Sequence, residues 1–250
     1  MKLRVKFAKY GAVKFIGHLD LMRFFQKAVR RAGIDIAYSG GYSPHQVMSF
    51  ASPLGVGLLS NGEYFDIEVN SAYDMRKRDD IFKKCDGNEI ISSEITDIKM
   101  RLAEQMVDGL DILDISPLDE NAGNAMASVA AALYTVSFAQ SSTLPVDWTS
   151  QFGQFLQSSA IIYTKRTKKV VREIDLKPLI YKAVINADNS GISLLINASS
   201  ADSIKPQFVI EAFIDYIGQS DSPLNLIICR EEIYTNIGTG EKPDFIPLIA

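Results

Sequence analysis

The sequence predicts an α+β protein built of two ferredoxin-like halves in tandem, each with an antiparallel sheet. Three observations lead there. Stretches such as KLRVKFA (2–8) and EYFDIEV (63–69) alternate apolar and polar residues, the period of a half-buried strand. Between them lie segments whose apolar residues recur at helical spacing. The resulting order, strand–helix–strand–strand–helix–strand, fills residues 1–117 and is repeated in outline by residues 118–250.

Each element has its own signal. Leu3, Val5 and Phe7 form the apolar face of the first strand. A helix starts near His18–Asp20 and runs to Ala32, with Met22, Phe25, Val29 and Ala32 inward and Asp20, Arg23, Lys27, Arg30 and Arg31 outward. Asp20 suits the positive end of its dipole, Arg30 and Arg31 the negative end, and Gly33 supplies a C-cap. IDIAYS reads as the second strand. Residues 39–62 read as a long loop punctuated by Gly40, Gly41, Pro44, Pro53, Gly55, Gly57 and Gly62, and a loop of that length is usually functional or mobile. EYFDIEV is the third strand, and the charged stretch 74–88 an exposed insertion. A second helix spans 93–107 with Ile95, Ile98, Leu102 and Met106 inward, and LDILDI is a strand ending at Pro117.

Residues 118–126 read as a linker. Beyond it come a strand (ALYTVSFA), a helix (147–156), a strand (IIYTKR) and a hairpin turned at Asp188–Gly191. A helix from Pro206 to Ile217 follows, with Phe208, Ile210, Phe213 and Ile217 inward, and NLIICREEIYT closes the half.

Composition narrows the function. Two cysteines, Cys85 and Cys229, cannot furnish the thiolate set of an iron–sulfur cluster, and no Cys/His zinc pattern is present. No metal or cofactor is therefore expected. MKLRVKFAKYG has no apolar h-region and no run approaches a membrane span, so a cytoplasmic protein without membrane contact is expected. P-loop and GxSxG motifs are absent, and GVGLLSNG neither follows a strand nor opens a helix. Net charge is −4, yet residues 1–50 hold nine Lys/Arg against Asp20 and Asp35, net +7, which leaves −11 for the remainder. Such a basic lobe fits an anionic partner, or else a solvated helix face with strand-edge lysines. The run TKRTKKVVREIDLKP, with Arg166, Lys168, Lys169 and Arg172, is a second basic element. It can hold RNA phosphates, or serve as a charged edge that discourages aggregation.

The chain has two histidines, His18 in FIGHLD and His45 in GYSPHQ. Both suit proton transfer near neutrality; their structural alternatives are a helix-start role for His18 and a loop-packing role for His45. With Asp20, Arg23, Tyr42 and Glu63 they are expected to converge on one cleft.

The stretch from Val13 to Val69 resembles the family of radical-SAM-linked proteins. These carry a pattern like F-x-S-H-L-D-x-x-R, then R-A-G with S-x-G-F-x-P-H-P, then P-L-G-V and G-E-Y-x-D. The matching residues include Phe15, His18, Leu19, Asp20, Arg23, Ser39, Gly41, Pro44, His45, Pro53 to Val56, Glu63, Tyr64 and Asp66. Gly17, Tyr42 and Gln46 depart from it. REIDLKP is similar to the family's R-x-V-D-x-R-P, with Lys177 in place of an arginine fork. The resemblance implies a separately encoded radical-SAM protein as partner and a setting in RNA processing. At fold level the tandem halves are also similar to the RNA-binding repeat-associated proteins of CRISPR systems, some of which cleave RNA without metal. The readings that follow are a non-catalytic RNA-binding or substrate-presenting partner of a radical-SAM enzyme, a metal-independent endoribonuclease using His18 or His45, and an assembly factor without RNA.

Overall fold

A computed structural model of the chain describes residues 1–70, 87–119, 122–139, 144–166, 171–219, 225–239 and 242–249. The chain divides into two compact units, Met1–Ser128 with Pro247–Ala250, and Val129–Ile246. It is an α+β protein with a ferredoxin-like antiparallel sheet in each half.

The first unit runs β1 (Lys2–Lys9), α1 (His18–Arg31), β2 (Met48–Phe50), β3 (Leu59–Glu68), α2 (Gly87–Ala103) and β4 (Leu110–Leu118). Its strands lie in the order β4-β1-β3-β2, every pair antiparallel. Leu3, Val5 and Phe7 of β1 and Phe65 and Ile67 of β3 point to the helices and meet Leu21, Phe25 and Val29 of α1 and Ile98 and Leu102 of α2. Each such side chain contributes about 1.5–3 kcal/mol on full burial. Phe7, Phe25, Phe50 and Phe65 form one aromatic cluster with ring centroids 4.7–6.2 Å apart.

The structure corrects several sequence expectations. The buried face of α1 centres on Leu21, Phe25, Ala28 and Val29, and Met22 is only partly covered. IDIAYS is no continuous strand, although Ile34 and Ile36 are buried. Ile36 makes one bridge to Val69, the chain then leaves the sheet, and it returns at Val47 to pair along β3 as β2. The edge strand is thus interrupted by an excursion, which alternation alone does not reveal. The helix α2 begins earlier than expected, at Gly87, so residues 87 and 88 belong to it; the rest of the expected insertion lies outside the described residues, as does Cys85. Part of the expected linker forms a short helix, α3 (Ala125–Ser128), within the first unit.

The second unit repeats the plan with β5 (Ala131–Phe138), α4 (Trp148–Gln157), β8 (Ile180–Ile185), β9 (Gly191–Asn197), α5 (Pro206–Tyr216) and β10 (Leu226–Asn236) in the antiparallel order β10-β5-β9-β8. Between α4 and β8 a separate hairpin is inserted, β6 (Ile162–Arg166) with β7 (Val171–Asp175). Phe152 and Phe155 of α4 pack on Phe213 of α5 at 5.1 and 5.5 Å. The inward face of α5 is Val209, Ile210, Phe213 and Ile214. Phe208, expected in that face, instead stacks on Tyr163 of the hairpin at 4.5 Å.

Candidate functional site

In the first unit α1 carries most of the sequence-predicted residues, and its helical period sorts them onto different faces. His18, at the first position after the Gly17 N-cap, turns toward the sheet and sits edge-on to Phe50 at 5.2 Å. Burial pushes its pKa below the usual 6.5. Glu63 opposes that shift and Lys9 reinforces it. Lys9 and Glu63 are themselves buried, and the Lys9 ammonium donates to the Ile16 carbonyl at 2.9 Å. Glu63 and Lys9 both act on the charge of half-buried His18 where α1 begins.

The opposite face of α1 is open to solvent. Asp20 and Arg23 pair there at 3.3 Å with both side chains about two-thirds exposed, a contact worth under about 1 kcal/mol. Arg23, Lys27 and Arg30 follow at i, i+4 and i+7 and are all exposed, forming a basic stripe. Arg31 leaves that stripe. It donates through Nε and Nη2 to Oε1 and the carbonyl of Gln105, both at 3.2 Å, and lies over the ring of Phe24. Its role is to join α1 to the segment after α2.

His45 belongs to the excursion from the edge strand. Its neck closes where the Val47 N–H donates to the Ala37 carbonyl at 2.9 Å. Tyr38 bridges Gln46, and the Ser39 N–H donates to the His45 carbonyl at 2.8 Å. The Ser39 hydroxyl accepts from the His45 N–H at 3.1 Å and lies 2.8 Å from the ring Nδ1. Gly41, at φ 101°, takes a backbone turn that side chains disfavour. Gln46 is buried and its amide donates to the Gln26 carbonyl at 3.2 Å, which ties the loop to the middle of α1. Tyr42 at the apex is fully exposed, and Tyr38 and His45 are exposed below it.

The six residues expected to share a cleft come from three elements: His18, Asp20 and Arg23 from α1, Tyr42 and His45 from the loop, and Glu63 from β3.

The middle of the helix-free face of the first unit's sheet is met by its own chain. Arg4 of β1 and Asp66 of β3 face each other there in a bidentate pair, at 2.8 and 3.0 Å. Asp66 also accepts from the Ala125 N–H at 2.8 Å, and Arg4 donates to the Leu248 carbonyl at 3.3 Å. Asp66, one of the matched motif residues, is thus part of the scaffold. So are Asp175 and Lys177 of REIDLKP: the Asp175 carboxylate accepts from the backbone N–H groups of Ile161 and Lys177, and the Lys177 ammonium donates to the Leu156 carbonyl at the end of α4.

In the second unit the basic run is a two-stranded ribbon. Its base is held on α5 by the Tyr163–Phe208 stack and by the Tyr163 hydroxyl donating to Glu211 at 2.6 Å. Burial and the Glu211 carboxylate push the Tyr163 pKa up to about 12. Two rungs further, past Thr164–Glu173, Lys165 stands opposite exposed Arg172, a like-charge pair, and the Lys165 ammonium lies over the Phe208 ring at 5.6 Å. Arg166 ends β6, while its side chain and residues Lys168 and Lys169 lie outside the described residues.

Sequence reasoning missed the Ser39 and Gln46 braces, and it missed that Phe15, Leu19 and Val56 are all largely exposed. For Leu19 a signal existed, because its position falls off the stripe of Leu21, Phe25 and Ala28. Among the described residues no group of three His, Cys, Asp or Glu side chains could hold a metal ion, and no helix is long and apolar enough to cross a membrane.

Two ferredoxin-like units with a braced loop and a basic helix define the class. Residues 2–86 and 87–206 match a family described as uncharacterised proteins conserved in bacteria (DUF2344), and the chain belongs to that family. A search of curated proteins finds no match.

Proposed function

We propose that this chain is an RNA-binding, substrate-presenting partner of a separately encoded radical-SAM enzyme and carries out no chemistry of its own. The observation that carries the RNA part is the surface of α1. Arg23, Lys27 and Arg30 share one solvent face, and a loop bearing exposed Tyr38 and Tyr42 is tied to the same helix at Gln26. Cations that follow a phosphate backbone, with aromatic rings beside them for bases, make up a single-strand binding surface. The Lys165–Arg172 rung adds a second cationic element in the other unit. The identity of the partner rests on the resemblance of the motif residues, several of which are exposed here although a core would not need them: Phe15, Leu19 and Val56.

Fluorescence anisotropy with labelled RNA over a salt series tests the reading. The wild type should bind with an affinity that falls steeply as salt rises. Arg23→Ala/Lys27→Ala/Arg30→Ala should weaken binding and lower the log–log salt slope by about 2, since a single-strand phosphate contact accounts for about 0.7. Salt-insensitive binding, or none, overturns it. RNA recovered intact after incubation in EDTA separates this reading from a metal-independent endoribonuclease using His18 or His45. Pulldown of a radical-SAM enzyme by the full chain, in the presence and absence of nuclease, separates it from an assembly factor that needs no RNA.

A further inference from the structure

We infer that the Ala37–Val47 loop is a nucleotide subsite, in which one unpaired base of a single-stranded RNA stacks on the ring of Tyr42 and the Nε2 of His45 meets the adjoining phosphate or base edge. The inference deepens the RNA-binding reading and rests on it.

The loop is unusual in being both fully projected and heavily braced. Its neck is closed by backbone hydrogen bonds at Ala37–Val47 and Ser39–His45, and its flank is tied to α1 by Gln46. A segment of that length tied at so many points has lost most of its conformational freedom before any ligand arrives, so little ordering cost remains at binding. What the bracing holds in place is an apex ring with no packing duty, because Tyr42 is wholly exposed. A tyrosine ring offers a flat face that any base can stack on, provided the base is free of its own neighbours. Bases inside a duplex are not, and a protein ring does not reach them along the deep groove of A-form RNA. A single ring on a protruding apex therefore selects unpaired RNA.

Two further features define the chemistry. The Ser39 hydroxyl occupies Nδ1 of His45 at 2.8 Å, which fixes the ring and leaves Nε2 as the nitrogen for a ligand. The loop also meets α1 at Gln26, which lies within one turn of Arg23, Lys27 and Arg30, so a strand whose base rests on the apex has cations beside its backbone. The usual stacking platform of a ferredoxin-like RNA binder is its open sheet face. In this unit the middle of that face is taken up by the Arg4–Asp66 pair with Ala125 and Leu248. The exposed tyrosines of the loop take its place.

The test uses the full-length chain and two fluorescein-labelled probes, an unstructured RNA 12-mer and a blunt RNA hairpin of equal length in base pairs. A third probe is the 12-mer carrying 2-aminopurine, whose emission falls on stacking. The wild type should prefer the single strand and quench 2-aminopurine. Tyr42→Phe, which keeps the ring, should match it. Tyr42→Ala should lose affinity for the single strand on the order of tenfold and lose the quench, while its weaker duplex affinity stays unchanged. Ser39→Ala, which frees the imidazole, should give a smaller loss with the quench retained. Unchanged affinity and quench in Tyr42→Ala, alongside a loss in Arg23→Ala/Lys27→Ala/Arg30→Ala, overturns the subsite and leaves the RNA-binding reading standing. Equal loss for both probes in Tyr42→Ala overturns the single-strand selectivity. No binding of any probe by the wild type overturns both.

Discussion

Replacing Asp66 by Ala should cost the first unit about 3–5 kcal/mol, the amount associated with breaking a buried ion pair and stranding one charge. The geometry puts Asp66 in that class. The Arg4 and Asp66 side chains are only 6% and 14% exposed, and the carboxylate accepts two bonds from the guanidinium and a third from the Ala125 N–H. In Asp66→Ala the guanidinium keeps only its bond to the Leu248 carbonyl. Urea denaturation followed by far-UV circular dichroism reads the loss. It should correspond to a melting-temperature drop of about 6–20 °C, at roughly 2–4 °C per kcal/mol for domains of 150–250 residues. Trp148, the sole tryptophan, lies in the second unit and reports that unit separately by fluorescence. The double variant Arg4→Met/Asp66→Leu should recover most of the loss, because well-packed apolar groups replace buried ion pairs at little cost. A loss under about 1 kcal/mol in Asp66→Ala would show that the pair behaves as a surface contact and refute the reasoning.

Three other outcomes follow from the same geometry. His18 should titrate below 6.5 by NMR, because burial disfavours its charged form. A depressed folded pKa gives stability that is full above 6.5 and lost as pH falls through the folded value, so wild-type stability should decline from pH 6.5 downward more than that of His18→Gln. Tyr163, raised to about 12, has the opposite sign: its share of stability is full below pH 10 and lost as pH rises toward about 12, which the ultraviolet difference between wild type and Tyr163→Phe should reveal. At neutral pH Tyr163→Phe keeps the ring stack on Phe208, whereas Tyr163→Ala should release the ribbon and speed its cleavage by trypsin; equal rates would show that the stack does not hold it.

Much of the fold was legible because both periods were clear. Leu3, Val5 and Phe7 alternate and are all buried, and Phe25, Val29 and Ala32 recur at helical spacing and face the core. The second edge strand was not legible. Ile34 and Ile36 alternate with Asp35 as a strand should, and both are buried, but only Ile36 bridges β3 before the chain departs. Periodicity registers which face a residue takes and is blind to where the ladder resumes. The candidate site was legible as residue types, while the contacts each residue makes come from the tertiary fold. The charge of Glu63 on β3 acts on His18 at the start of α1, a tertiary fact, while His45 is held by Ser39 in a turn of its own. Phe208 illustrates the same limit: its spacing fits a core face, yet the inserted hairpin supplies Tyr163 to cover it on the outside.

The bond from Arg4 to the Leu248 carbonyl spans 244 positions of the chain. The second unit, Val129–Ile246, lies wholly between those two ends of the first. On the ribosome, at roughly 5–20 residues per second, Arg4 waits about 12–50 s after its own synthesis before Leu248 exists. Throughout that interval the nascent first unit has Asp66 and the Ala125 segment in hand but lacks its final piece, while every residue of the second unit is made. Completion of the amino-terminal half is thereby deferred until the whole intervening unit has been made, so a chain that stalls at Ile246 holds every residue of the second unit while the first still lacks the Leu248 carbonyl.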